Sequence, residues 1–150
     1  MGNSRILMTY GPLIVRVVLG TLFIINGWPK LINLEQTQGY FSMMGIPAEL
    51  ALLIGLLEVV GGLFLILGLL TRIVALLFVI EMISAFIIAN TSNVIILPEG
   101  YELGLLSIPI VFMAISISLM LTGPGRISLE WNVIKRELVP GGKKVLEGLK

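Results

Sequence analysis

The chain has 150 residues, of which 57% are hydrophobic and 13% charged, where a soluble domain carries about 45–50% apolar and about 25% charged residues. That balance excludes an ordinary soluble domain and predicts a single membrane-embedded domain over residues 1–150. There is no Cys, His or Asp, and the net charge is +1. These absences exclude thiol–disulfide chemistry, a structural zinc site and a His-ligated haem supplied by this chain alone.

The N-terminus, MGNSRILMTYGP, lacks an A-x-A-like cleavage site after its first apolar run. The first hydrophobic segment therefore reads as a retained anchor rather than a signal peptide. A hydrocarbon core of about 30 Å needs about 20 mostly apolar residues in a helix. Four segments meet that need, at about residues 12–28, 50–70, 73–90 and 103–122. Their apolar residues run on without the alternation of a lipid-facing barrel strand, so helices are predicted.

The first span contains LIVRVVLG and ends at Trp28 and Lys30. Arg16, Gly20, Phe23, Gly27 and Lys30 recur at a 4-3-4-3 spacing and so share one stripe of the helix. The first outer loop, about residues 29–49, holds QTQGYFSMMGIP. Tyr40, Phe41 and Met44 fall on one helical face there, which predicts a short helix lying at the outer interface.

The second span holds Glu58 in GLLEVVGG, with Gly55, Glu58, Gly62 and Leu65 on one stripe. A charge at the bilayer centre costs roughly 2.5–3.5 kcal/mol, and each Leu, Ile, Phe or Val returns roughly 0.3–0.6. The fifteen such residues between 50 and 70 return roughly 7 kcal/mol in all. Glu58 therefore does not prevent insertion, but it needs a bundle interior or a wet cavity to face. Thr71-Arg72 reads as nearly the whole second loop, so spans two and three form a tight antiparallel hairpin.

The third span carries Glu81 in VIEMISA. The loop after it, TSNVIILPEGYE, is acidic, with an apolar stretch at residues 94–97. The fourth span opens at Tyr101 and Glu102 and has no charge at mid-depth. Pro109 should kink or loosen it, with Ser107, Ser116 and Ser118 to cover freed backbone groups. GPGRISLE follows, and its Gly-Pro-Gly ends the helix. The tail over 126–150 places Trp131, Ile134 and Leu138 on one side, as an amphipathic segment resting on anionic lipid would. No glycine run has the spacing of a phosphate loop or dinucleotide fingerprint, and no nucleic-acid partner is expected.

Basic residues set the orientation. Arg5, Arg72, Arg126, Lys135, Arg136, Lys143, Lys144 and Lys150 fall on one side and Lys30 on the other. Both termini are therefore expected in the cytoplasm. Arg72 and Arg126 lie at that surface.

The charges within the spans predict a site. Counting 1.5 Å per residue brings Glu58 and Glu81 near mid-depth, with Arg16 nearer the cytoplasmic end. The stripes put these charges beside small residues, Gly20, Gly27, Gly55, Gly61 and Gly62, which let helices approach closely. An interior cluster of Arg16, Glu58 and Glu81 is expected, either as a structural ion pair or as a proton-handling site. Burial disfavours a second unpaired carboxylate, so one of the two acids should be protonated near neutral pH. At the outer edge, a pair between Lys30 and Glu102 would tie the first helix to the last.

These pieces, in this order, resemble the DoxX family of small prokaryotic membrane proteins. The resemblance covers about residues 13–131. It rests on RVVLGTLFIINGWPKL, on GIP at 45–47, on LLEVVGGLFLILGLLTR, on GYEL with Tyr101 and Glu102, and on GPGRISLE. The chain has Asn26 and Asn90 where many members carry His. Glu81 stands where the family pattern has small or apolar residues. The resemblance implies an all-α bundle of four transmembrane helices. It also implies a link to redox physiology, since relatives include a subunit of a thiosulfate:quinone oxidoreductase and membrane partners in oxidative-stress complexes.

The expected function is a non-catalytic anchor or assembly subunit of a redox or oxidative-stress complex in the cell membrane. Such a chain has no catalytic residues, metal or intrinsic cofactor of its own, and it would contribute to a quinone pocket. Its partners would be the bilayer and a membrane or peripheral protein, or further copies of itself. The alternatives are a small quinone-linked oxidoreductase and a proton-relay or transport protein using Glu58 and Arg16.

Overall fold

The computed structural model describes residues 2–91, 102–125 and 127–132. All regular structure among them is helical: α1 (Gly2–Ile32), α2 (Leu34–Met43), α3 (Leu50–Leu67), α4 (Thr71–Thr91), α5 (Glu102–Thr122) and the short α6 (Leu129–Asn132). Three stretches, Tyr10–Ile32, Leu50–Leu67 and Thr71–Ile88, are long and apolar enough to cross a bilayer. In α5 the apolar helix is the shorter Ser107–Thr122. Large apolar side chains such as Ile14, Ile25, Leu53, Ile80 and Leu121 stand exposed on the helices. In water that surface would be a liability; in a bilayer it is the lipid-facing side of the bundle.

The first helix runs further than its apolar run predicts. Pro29 was expected to open the outer loop, yet α1 continues through it to Ile32. Proline forfeits its N–H bond to the carbonyl four residues back and crowds that carbonyl, a local disturbance. The helix resumes at once, with the Asn33 N–H donating to the Pro29 carbonyl at 3.0 Å. The expected outer-loop helix is α2, which has no buried residue.

The second connection also differs from expectation. Thr71 and Arg72 belong to α4, and the turn is residues 68–70. Gly68 adopts φ +71 and ends α3, with its own N–H on the Leu65 carbonyl and the Leu69 N–H on that of Phe64. This is the two-bond glycine stop that closes many helices. Leu70 is also left-handed, at φ 49, a conformation costly to a side chain with a Cβ.

Close packing pairs α1 with α3 and α4 with α5, so the hairpin partners α3 and α4 share less contact than either pair. The reason lies in the glycines. A Cβ on Gly20 would stand 2.5 Å from the Gly62 carbonyl oxygen, and a Cβ on Gly62 would stand 2.5 Å from that of Gly20. The α1 and α3 backbones thus touch, as small residues allow in membranes. The apolar core fills the centre with Leu19, Phe23, Leu65, Ala75, Phe78 and Leu119. Phe23 and Phe78 stack at 3.5 Å between ring centres, and Phe112 tilts against Phe23 at 5.3 Å.

Candidate functional site

The buried charges form two layers with this aromatic core between them. The outer layer is Lys30, Glu58 and Glu81. Lys30 Nζ donates to both carboxylate oxygens of Glu58, at 2.6 and 2.5 Å. Glu58 is 2% exposed, and the Lys30 side chain is 29% exposed. Helical side chains lean toward the helix N-terminus, so Lys30, near the end of α1, reaches back into the bundle. Gly27, one turn earlier, clears the way: a Cβ there would stand 2.6 Å from the Glu58 Cβ. Gly55 admits Leu31 and the Lys30 stem in the same manner.

Glu81 joins from α4, close enough to Glu58 for the two carboxyl groups to act on each other. The two acids lie at nearly equal distances either side of the turn, about 17 Å from it along their helices. The second Glu81 oxygen, Oε2, is buried without a hydrogen-bond partner.

The inner layer is built on Arg16, which is 0% exposed. Its Nη2 donates to the Ile127 carbonyl, and Glu130 lies close enough to act on its charge. The segment after α5 folds back to reach it, and the Glu130 N–H donates to the Gly68 carbonyl at 3.3 Å. Gly68 makes room for the guanidinium, since a Cβ there would overlap it. Arg16 therefore ties α1 to the end of α3 and to the segment beyond α5. Arg72 sits against Gly123, where a Cβ would stand 3.1 Å from its Nε.

The geometry corrects one expectation. Arg16 does not join Glu58 and Glu81; it lies about 21 Å from Lys30 along α1, and Lys30 holds the place that it was given. Lys30 in turn is directed at Glu58, and the other half of the expected Lys30–Glu102 pair is not among the described side chains. The Glu102 side chain, Tyr101, Arg126, residues 94–97 and the tail from 133 lie outside the described residues. Asn26 and Asn90, the described asparagines of the expected outer-edge group, are exposed. Gly61, expected as a packing position, faces Phe78, whose Cζ would stand 2.8 Å from a Cβ there.

Sequence reasoning missed the Ile127 carbonyl and Glu130 as partners of Arg16. A main-chain acceptor leaves no trace in side-chain identity. Among the described residues no group of three or more acidic side chains is placed to hold a metal ion.

Apolar helices, a lipid-facing surface and span charges turned inward, Arg16 and Glu58 among them, define a helical integral membrane protein. The chain belongs to the DoxX family, whose model matches residues 11–91. It is 31% identical to CatD of Bacillus subtilis, provisionally named an oxidoreductase, over 83% of this chain and 88% of that one. It is also 31% identical to the inner membrane protein YqjF of Escherichia coli, over 80% of this chain and 89% of the relative. An uncharacterised membrane protein of Mycobacterium tuberculosis matches at 31% over 93% of both chains. No solved structure matches the chain.

Proposed function

We propose that the chain is a non-catalytic anchor or assembly subunit of a redox complex in the cell membrane, crossing it four times with both termini cytoplasmic. The observation that carries this reading is the inward direction of the charges. Arg16 and Glu58 are enclosed and turned on groups of the same chain, where they hold helices together. With no Cys or His, the electron-carrying groups would belong to a partner, and the family relative named as an oxidoreductase supports the redox setting.

A quinone fits one feature of the outer layer. An ammonium has three donors, and Glu58 takes two of those on Lys30. The third is left for a carbonyl oxygen, and the side chain is partly exposed, so Lys30 is the residue that would hold a quinone. The quinone would bring the two-electron chemistry of the complex.

Purification in mild detergent after chemical crosslinking in the membrane tests the proposal. A defined partner, crosslinked and co-purified, is expected. A chain that crosslinks only to itself and runs alone overturns the reading.

A further inference from the structure

We infer that Arg72 holds the phosphate of an anionic phospholipid whose chains lie along α4. This goes beyond the anchoring role and does not depend on it.

A guanidinium has five N–H donors and no acceptor, so an arginine withdrawn from water needs oxygens around it. The two arginines described at this end of the bundle meet that need differently. Arg16 is enclosed, and its Nη2 donates to the Ile127 carbonyl. Arg72 is half-buried and forms no hydrogen bond or ion pair among the described residues, with its enclosed Nε lacking an acceptor. Arg16 is thus tied into the protein, whereas Arg72 has no protein acceptor.

Arg72 is nevertheless held in place. Gly123 ends α5 at φ +75, and a Cβ there would stand 3.1 Å from both Nε and Nη2. The glycine lets that edge of the guanidinium rest against the chain, which leaves the Nη1–Nη2 edge for a ligand. A planar fork fixed in this way suits two phosphate oxygens.

The local charge favours an anion. Arg16, Arg72 and Glu130 are the charged side chains described at this end, two cations to one acid. Arg72 also lies in the first turn of α4, which has no acidic residue, and a helix N-terminus adds a partial positive charge of its own.

The adjoining surface fits a lipid rather than a soluble ion. The apolar stretch Thr71–Ile88 begins one residue before Arg72, so the guanidinium stands at headgroup depth. Leu76, Ile80, Ile83 and Ile87 follow Arg72 at a 4-4-3-4 spacing and share its face, and all four are exposed. From Arg72 to Ile83 is about 16 Å of helix, close to half of a hydrocarbon core of about 30 Å. A phospholipid of one leaflet spans that distance, with its phosphate on Arg72 and its chains on the apolar stripe. A choline headgroup carries its own cation, so an anionic headgroup is the better match to a basic site at a helix end.

Native mass spectrometry of the full chain in mild detergent tests the site, with phosphatidylglycerol and phosphatidylcholine of the same chains titrated in turn. The wild-type protein should bind one phosphatidylglycerol more tightly than phosphatidylcholine. Arg72→Gln should weaken that binding by about fivefold or more, the effect of one basic residue at an anionic surface. Lys143→Gln combined with Lys144→Gln, in the tail, removes twice the charge and should leave it unchanged. Equal binding of the two lipids to the wild-type protein overturns the proposal, and that reading stands even where Arg72→Gln fails to fold. Undiminished binding in Arg72→Gln overturns it as well. So does an equal loss in the tail variant, which would mark a general attraction to basic residues. Displacement of the lipid by inorganic phosphate would mark a site for the free ion and overturn it too.

Discussion

Lys30 reaches back from the end of α1 to grip both oxygens of Glu58 on α3, at 2.6 and 2.5 Å. Removing one member of such a pair strands the other. Lys30→Met should cost about 3 kcal/mol, the lower end for a broken buried pair, since the Lys30 side chain is partly exposed. Lys30→Met combined with Glu58→Gln should cost less than Lys30→Met alone. Unfolding in mixed micelles would measure both, with a coupling between about 0.5 and 3 kcal/mol.

The same cycle on Arg16 and Glu58 should give a different answer. The two sit in separate layers with the Phe23–Phe78 stack between them. Distant sites add to within about 0.5 kcal/mol. Arg16→Met and Glu58→Gln should therefore be additive, and a coupling above that level would return Arg16 to the outer cluster.

Arg16 has its own consequence. Its bond to the Ile127 carbonyl fixes the segment that folds back after α5. Hydrogen bonds to a charged group are worth about 1.5–3 kcal/mol. In Arg16→Met the Glu130 amide, bonded to the Gly68 carbonyl, should exchange with solvent deuterium faster by one to two orders of magnitude. Amides at the α1–α3 crossing should change far less.

Orientation can be read directly because the chain has no cysteine. Gly39 is exposed on α2, with open space where a Cβ would sit. Gly39→Cys should react with a membrane-impermeant maleimide added outside intact cells. Lys150→Cys should react only after the membrane is opened. The reverse pattern would invert the proposed topology.

The helices were legible because apolar runs of membrane length admit little else. Their ends were less so, since Pro29 and Thr71 are helical through contacts that composition does not show. The charge-and-glycine stripes were also legible, but the pairing across them was not, because a depth counted from each span's own end does not fix the register of one helix on the next. A better ruler was present. Gly20 and Gly27 are seven apart, as are Gly55 and Gly62. Matching the two pairs antiparallel sets Arg16 near Ile66, well below Glu58, and leaves Lys30 as the base within reach of that carboxylate. The Ile127 carbonyl could not be read this way, since any residue provides one.

That glycine register is itself testable. The carbonyl oxygens of Gly20 and Gly62 each stand 2.5 Å from where the other residue's Cβ would lie. These are backbone atoms and cannot swing aside as a side chain can. Gly20→Ala and Gly62→Ala should each force α1 and α3 apart. Overpacking of this kind costs typically about 1–3 kcal/mol, and the parting would also stretch the Lys30–Glu58 pair. Gly11→Ala meets nothing within 4 Å and should be neutral or gain up to about 1 kcal/mol from helix propensity. Unfolding of the three variants in the same micelles would compare them. Equal stability of Gly11→Ala and Gly20→Ala would mean that the helices do not cross at Gly20 and Gly62. A selective loss at the crossing would show that backbone contact between α1 and α3 sets the register in which Lys30 meets Glu58.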